Sequence, residues 1–136
     1  MALFNRATAL GPSPIEGREL ILADLDGVVY KGAAAIPRAV EQLNAAAKIA
    51  RVGYLTNNAS RKCTAVAEQL SSFGLDVTVD DVVTSPQAAT ALLARTVAPG
   101  ATVLVVGGDG LVDELTKAGF IVTRSSDDHP DAVVQG

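Results

Sequence analysis

Apolar residues along this chain fall into short runs separated by stretches of helical spacing. The segment "ELILADL", Glu19 to Leu25, is an almost unbroken apolar run, the pattern of a strand buried on both faces of a parallel sheet. Pro37 suits the first turn of a helix, and Val40, Leu43 and Ala47 give that helix an apolar stripe. "RVGYLT", Arg51 to Thr56, reads as a second strand. A second stripe follows at Val66, Leu70 and Phe73, with Gly74 as a left-handed stop. "DVVTSP", Asp81 to Pro86, predicts a short third strand, after which Ser85 caps and Pro86 opens a helix. "PGATVLVVGG" predicts a turn and a strand, "LVDELTKAG" a helix with a glycine stop, and "FIVTR" and "DAVVQ" two further strands. Strands alternating with helices imply βαβ units, so the expected class is α/β with a Rossmann-like parallel sheet.

Composition changes this picture mainly by exclusion. With 49% hydrophobic and 19% charged residues, the chain is globular rather than disordered. A net charge of −4 argues against a nucleic-acid partner. No apolar run approaches a membrane span. The single cysteine, Cys63, rules out a disulfide framework and fits a reducing compartment, which makes the cytoplasm the expected location. Residues 1–18, which include Gly11, Pro12, Ser13 and Pro14, read as a leader without the continuous apolar block of a signal peptide.

The candidate chemistry sits at strand ends. Asp24 and Asp26 close the first strand, and ligands of open parallel sheets bind at the carboxyl ends of strands. The neighbouring strand ends in "TNNAS", Thr56 to Ser60. Gly27 permits a sharp turn and offers its N–H to an anion. The two carboxylates are expected to diverge along an extended segment unless the chain bends at Asp26–Gly27 and turns both toward one site. A hard cation such as Mg²⁺ would hold them near a negatively charged substrate. One carboxylate then suits covalent attack on phosphorus, and the other suits protonating a leaving oxygen and deprotonating a water. The Thr56 hydroxyl and the Asn57 amide suit binding of phosphoryl oxygens.

"DLDGVVY" followed by "YLTNNAS" resembles the first two motifs of the haloacid dehalogenase-like phosphatases. "TNNAS", "VVTSPQAA", "VLVVGGDGLVDELTKAGF" and "PDAVVQG" look specifically like the p-nitrophenyl-phosphatase, phosphoglycolate and glycerol-3-phosphate phosphatase subfamily, from about Glu19 to Gly136. The resemblance implies Asp24 as nucleophile and Asp26 as general acid and base. It implies Mg²⁺ held by the Asp24 carboxylate and the Asp26 backbone carbonyl, and phosphate held by Thr56 and Asn57. Residues 19–96 would be the first part of the core, and residues 97–136 the beginning of an inserted α/β cap. The family also uses a lysine and an acidic pair that follow the cap, so the chain is expected to need a further C-terminal part. Without it, the first strand would be an open apolar edge that invites association into a homo-oligomer.

Other readings carry less weight. Gly108-Asp109 and Asp113 imitate an acidic metal motif, but no lysine precedes them suitably, so Asp109 is expected to cap a helix and Asp113 to be solvated. Gly108 to Gly110 is a weak dinucleotide signal, because Asp113 stands where a third glycine belongs. Cys63 reads as an ordinary helix residue and His129 as an exposed loop residue. A phospho-acceptor receiver domain is disfavoured, because its acceptor aspartate belongs on a later strand. A phosphate-binding or interaction fragment without turnover is the alternative to the small-metabolite phosphatase.

Overall fold

The computed structural model describes residues 13–136. The leader reading of residues 1–18 therefore falls largely outside the described residues. Residues 13–18 form turns closed by Glu16 N–H to the Ser13 carbonyl and Arg18 N–H to the Ile15 carbonyl, and Ile15 packs against the first core cluster.

The first sheet contains β1 (Leu20–Asp24), β4 (Arg51–Thr56) and β5 (Val82–Thr84), all parallel, in the order β1-β4-β5. Between β1 and β4 lie a two-stranded hairpin, β2 (Tyr30–Lys31) with β3 (Ala34–Ala35), and the helix α1 (Ala39–Ala46). Helix α2 (Cys63–Ser72) joins β4 to β5, and Gly74 follows it at φ +92°, as a left-handed helix stop requires. Ile21, Ala23, Leu25, Val52, Tyr54 and Val82 meet Val40, Leu43 and Ala46 of α1 and Val66, Ala67 and Leu70 of α2 in one cluster.

Burial on both faces of β1 is not what the structure shows. Leu20 is 52% and Leu22 57% exposed, and Val83 of β5 is exposed as well. The reason is topological. The strand order advances in one direction, and right-handed crossovers then place successive helices on the same face. The opposite face acquires a helix only where the winding reverses.

Helix α3 (Ser85–Leu93) leads into a second parallel sheet of β6 (Thr102–Val106), β7 (Ile121–Thr123) and β8 (Ala132–Gln135), in the order β7-β6-β8. Helix α4 (Asp109–Lys117) packs Leu111 and Leu115 onto Val103, Val105 and Phe120, which form a separate core cluster. The cap of α3 is Thr84, not Ser85. Its hydroxyl accepts the Gln87 N–H, and the Gln87 side chain returns a bond to the Thr84 N–H. Asp109 is likewise not a cap but the first helical residue of α4, after Gly108. Asp113 is not simply solvated: it pairs with Lys62 at 3.0 Å and Lys117 at 2.7 Å, and these cations hold its carboxyl below the usual carboxylate value, Lys117 foremost. His129 is exposed and left-handed, at φ 51°. No helix among the described residues is long and apolar enough to cross a membrane.

Candidate active site

The parallel pairing of β1 with β4 sets Asp24 beside Leu55, one residue before Thr56. Asp24 and Asp26 are both exposed, while Leu25 between them is fully buried. Residues two apart on extended backbone share a face, so no bend between the aspartates is needed to bring them to one side. The expected divergence of the two carboxylates is corrected accordingly.

The turn comes after Asp26. Val28, Val29 and Tyr30 all direct their N–H groups at the Leu25 carbonyl, at 3.3, 2.9 and 3.2 Å. Gly27 supplies the left-handed conformation, φ +80°, that this wrap requires. Its N–H, however, is donated to the Tyr30 carbonyl at 2.8 Å. The turn role of Gly27 stands, but its expected role as an anion donor does not, because the local turn consumes the donor.

Thr56 ends β4 and Asn57 follows it directly. Thr56 is buried at the strand tip and its hydroxyl oxygen accepts the Asn58 N–H at 3.1 Å, which leaves the hydroxyl proton to donate elsewhere. Asn58 in turn accepts from both the N–H and the hydroxyl of Ser60. Ser85, free of capping duty, donates its hydroxyl to the Asn57 carbonyl at 2.9 Å. The tip of the third strand thus fastens the loop after the second.

Asp26, Thr56 and Asn57 line a cleft of about 450 Å³ together with Tyr30, Gly32, Asn58 and Arg61. Asp24 lines a more open hollow on the other flank, again with Thr56 and Asn57. Burial pushes the Tyr30 phenol up; the Arg61 guanidinium pulls it down, and Asp26 and Asp24 add to the rise. The phenol is therefore a neutral donor at neutral pH. Arg61 is held by Gln69 and by the Ala65 carbonyl at 2.9 Å, and Gln69 also bonds the Gly32 carbonyl at 3.1 Å. Tyr30, Asn58 and Arg61 escaped the sequence reading. Only the position of Arg61, five residues past Thr56 at the mouth of α2, hinted at it.

The Asp24 carboxylate and the Asp26 carbonyl are hard oxygen donors of the kind Mg²⁺ prefers. Among the described residues no cluster of three or more His, Cys, Asp or Glu is placed to hold a metal, so these two oxygens would be at most part of a donor set. Cys63 is buried against the Val82 carbonyl and burial raises its thiol pKa, which leaves it inert.

The family model of haloacid dehalogenase-like hydrolases matches residues 21–121. The chain is 44% identical over 118 residues to a D-glycerol 3-phosphate phosphatase of Mycobacterium tuberculosis, a match covering 87% of this chain and 33% of that protein. It is 40% identical over 118 residues to an acid sugar phosphatase of Staphylococcus epidermidis, covering 85% of this chain and 44% of the relative. A solved glycerol phosphate phosphatase from Mycobacterium tuberculosis, in complex with magnesium, superimposes with a TM-score of 0.77 at 44% identity, over 86% of this chain and 35% of that one. A p-nitrophenyl phosphatase from Archaeoglobus fulgidus gives 0.73 at 30% identity, over 85% and 43%. The chain thus spans between a third and a half of the length of these relatives.

Proposed function

The chain belongs to the haloacid dehalogenase-like hydrolases, and on that premise we propose that it carries the nucleophilic half of a Mg²⁺-dependent phosphatase for small phosphorylated metabolites. Glycerol 3-phosphate and phosphoglycolate are the substrates of choice, and the cytoplasm, where a lone thiol stays reduced, is the compartment. In this reading residues 19–96 are the first part of the catalytic core and residues 97–136 the beginning of the cap.

The chemistry follows from the strand tips. An Asp24 carboxylate oxygen forms a bond to phosphorus as the ester P–O bond breaks, and Asp26 gives its proton to the departing alkoxide. Asp26 then takes a proton from a water, whose oxygen attacks the aspartyl phosphate and returns Asp24 and inorganic phosphate. The Thr56 hydroxyl proton and the Asn57 amide steady the phosphoryl oxygens. The Asp24 carboxylate and the Asp26 carbonyl would hold Mg²⁺, which when bound would supply neutralising charge where an anionic group meets an anionic substrate.

One observation supports this most: with Leu25 buried between them, Asp24 and Asp26 are exposed, and each lines a hollow with Thr56 and Asn57 at the tip of the adjacent parallel strand. The test is Mg²⁺-dependent release of phosphate from p-nitrophenyl phosphate and glycerol 3-phosphate by the full-length protein. Activity that survives chelation of divalent cations would sink the reading. The partial donor set favours a second, narrower statement. In it the chain binds phosphate without turnover, and a measurable phosphate Kd with no Mg²⁺-dependent release would favour it.

A further inference from the structure

The segment after β6, Gly107 to Gly110, lies against the loop that ends the second strand of the first sheet. A Cβ placed on Gly108 would stand 2.6 Å from the Ser60 Cα. One on Gly110 would stand 2.5 Å from the Arg61 carbonyl oxygen and 2.6 Å from that of Ala59. Ordinary contacts begin at 3.4 Å, and the atoms approached are backbone apart from the Ser60 Cβ at 2.8 Å, which is fixed to that backbone, so no flexible side-chain end can swing away to make room. Gly110 also donates its N–H to the Ser60 carbonyl at 3.3 Å. Three residues further on, Asp113 reaches Lys62 at the start of α2. Backbone touches backbone here, and an ion pair flanks the contact.

What is touched matters. Ala59 to Arg61 directly follows Thr56–Asn58, and Arg61 itself lines the cleft. From the core side the loop is fastened by Ser85 and by its own Asn58 turn. We propose that Gly108 and Gly110 are positioning residues, which set the loop from the cap side and so fix where Thr56 and Asn57 meet the phosphoryl group. The inference rests on the phosphatase reading of those two residues. It gives the G-G-D-G segment a role that neither a metal site nor a dinucleotide turn explains. A methyl group at either glycine displaces the loop by the better part of an ångström, a scale on which positioned groups lose about 10²-fold in rate.

The experiment uses the full-length protein with Gly108→Ala and Gly110→Ala. It measures the Kd of inorganic phosphate with Mg²⁺ by calorimetry, kcat and KM for p-nitrophenyl phosphate, and Tm. Expected is a weakening of phosphate binding together with a loss of about 10²-fold in kcat/KM. Val103→Ala, in the core of the second unit, should lower Tm and leave the phosphate Kd unchanged. Glycine variants that lose only Tm, or a Val103→Ala that weakens phosphate as much, overturn the inference. Should the glycine variants fail to fold, Asp113→Asn decides: it removes a charge without adding volume. A raised phosphate Kd supports positioning and an unchanged one refutes it. A wild-type protein that neither binds phosphate nor hydrolyses p-nitrophenyl phosphate overturns the phosphatase reading and this inference with it. Normal wild-type behaviour with unaffected variants overturns this inference alone.

Discussion

At the scale of single residues, Asp24, Asp26, Thr56 and Asn57 stand at or just past strand tips, and each role proposed for them carries its own expected outcome. In the full-length protein Asp24→Asn should abolish turnover, because an amide does not attack phosphorus and holds a cation poorly. Asp26→Asn should cost roughly 10² to 10⁴ in kcat, the range of a lost general acid and base. Asp109→Asn, on an exposed first helical turn, should leave turnover nearly intact. Steady-state assays with Mg²⁺ separate these outcomes, and inactivity of folded Asp109→Asn would contradict the site assignment. Gly27 was only half legible. Its left-handed φ follows from being glycine next to a turn, but the acceptor of its N–H is Tyr30, fixed by how the chain wraps Leu25. Tyr30 was invisible and Arg61 no more than hinted at, because that wrap and the start of α2 deliver them to the cleft.

Among the elements, periodicity together with cap and proline signals found the four α-helices of the described residues and the six strands of the two parallel sheets. It missed the β2–β3 hairpin, since two-residue strands have no alternation to detect. It also misassigned the neighbours Thr84 and Ser85, because either hydroxyl can cap and only the strand register decides which one faces Gln87. The two residues should now fail differently. Thr84→Ala removes the capping box and should lower stability by about 1 kcal/mol, measured by denaturant unfolding. Ser85→Ala releases the Asn57 carbonyl instead, so it should weaken phosphate binding while costing less stability. Equal stability losses with unchanged phosphate affinity would return the cap to Ser85.

The whole molecule presents two small parallel sheets with separate cores, joined through α3 and the glycine contact. The first sheet is covered by helices on one face only, and Leu20, Leu22 and Val83 stand exposed on the other. Residues 1–136 prepared alone should therefore self-associate in a concentration-dependent way, seen as a rising mass in solution. Leu22→Lys should reduce that association. A monodisperse monomer at high concentration would show that the open face is harmless.

The edge position of β1 also fixes which of its amides are sheltered. Arg51 donates its N–H to the Glu19 carbonyl, and in a parallel ladder alternate residues face the neighbour. Ile21 and Ala23 accordingly direct their N–H groups at β4, while Leu20, Leu22 and Asp24 direct theirs away from it, where no described strand receives them. In deuterated water the strand should label in a two-residue rhythm: Leu20, Leu22 and Asp24 within the dead time, Ile21 and Ala23 only as the sheet opens. Any binding partner, or further length of chain, that pairs along this edge would erase the rhythm.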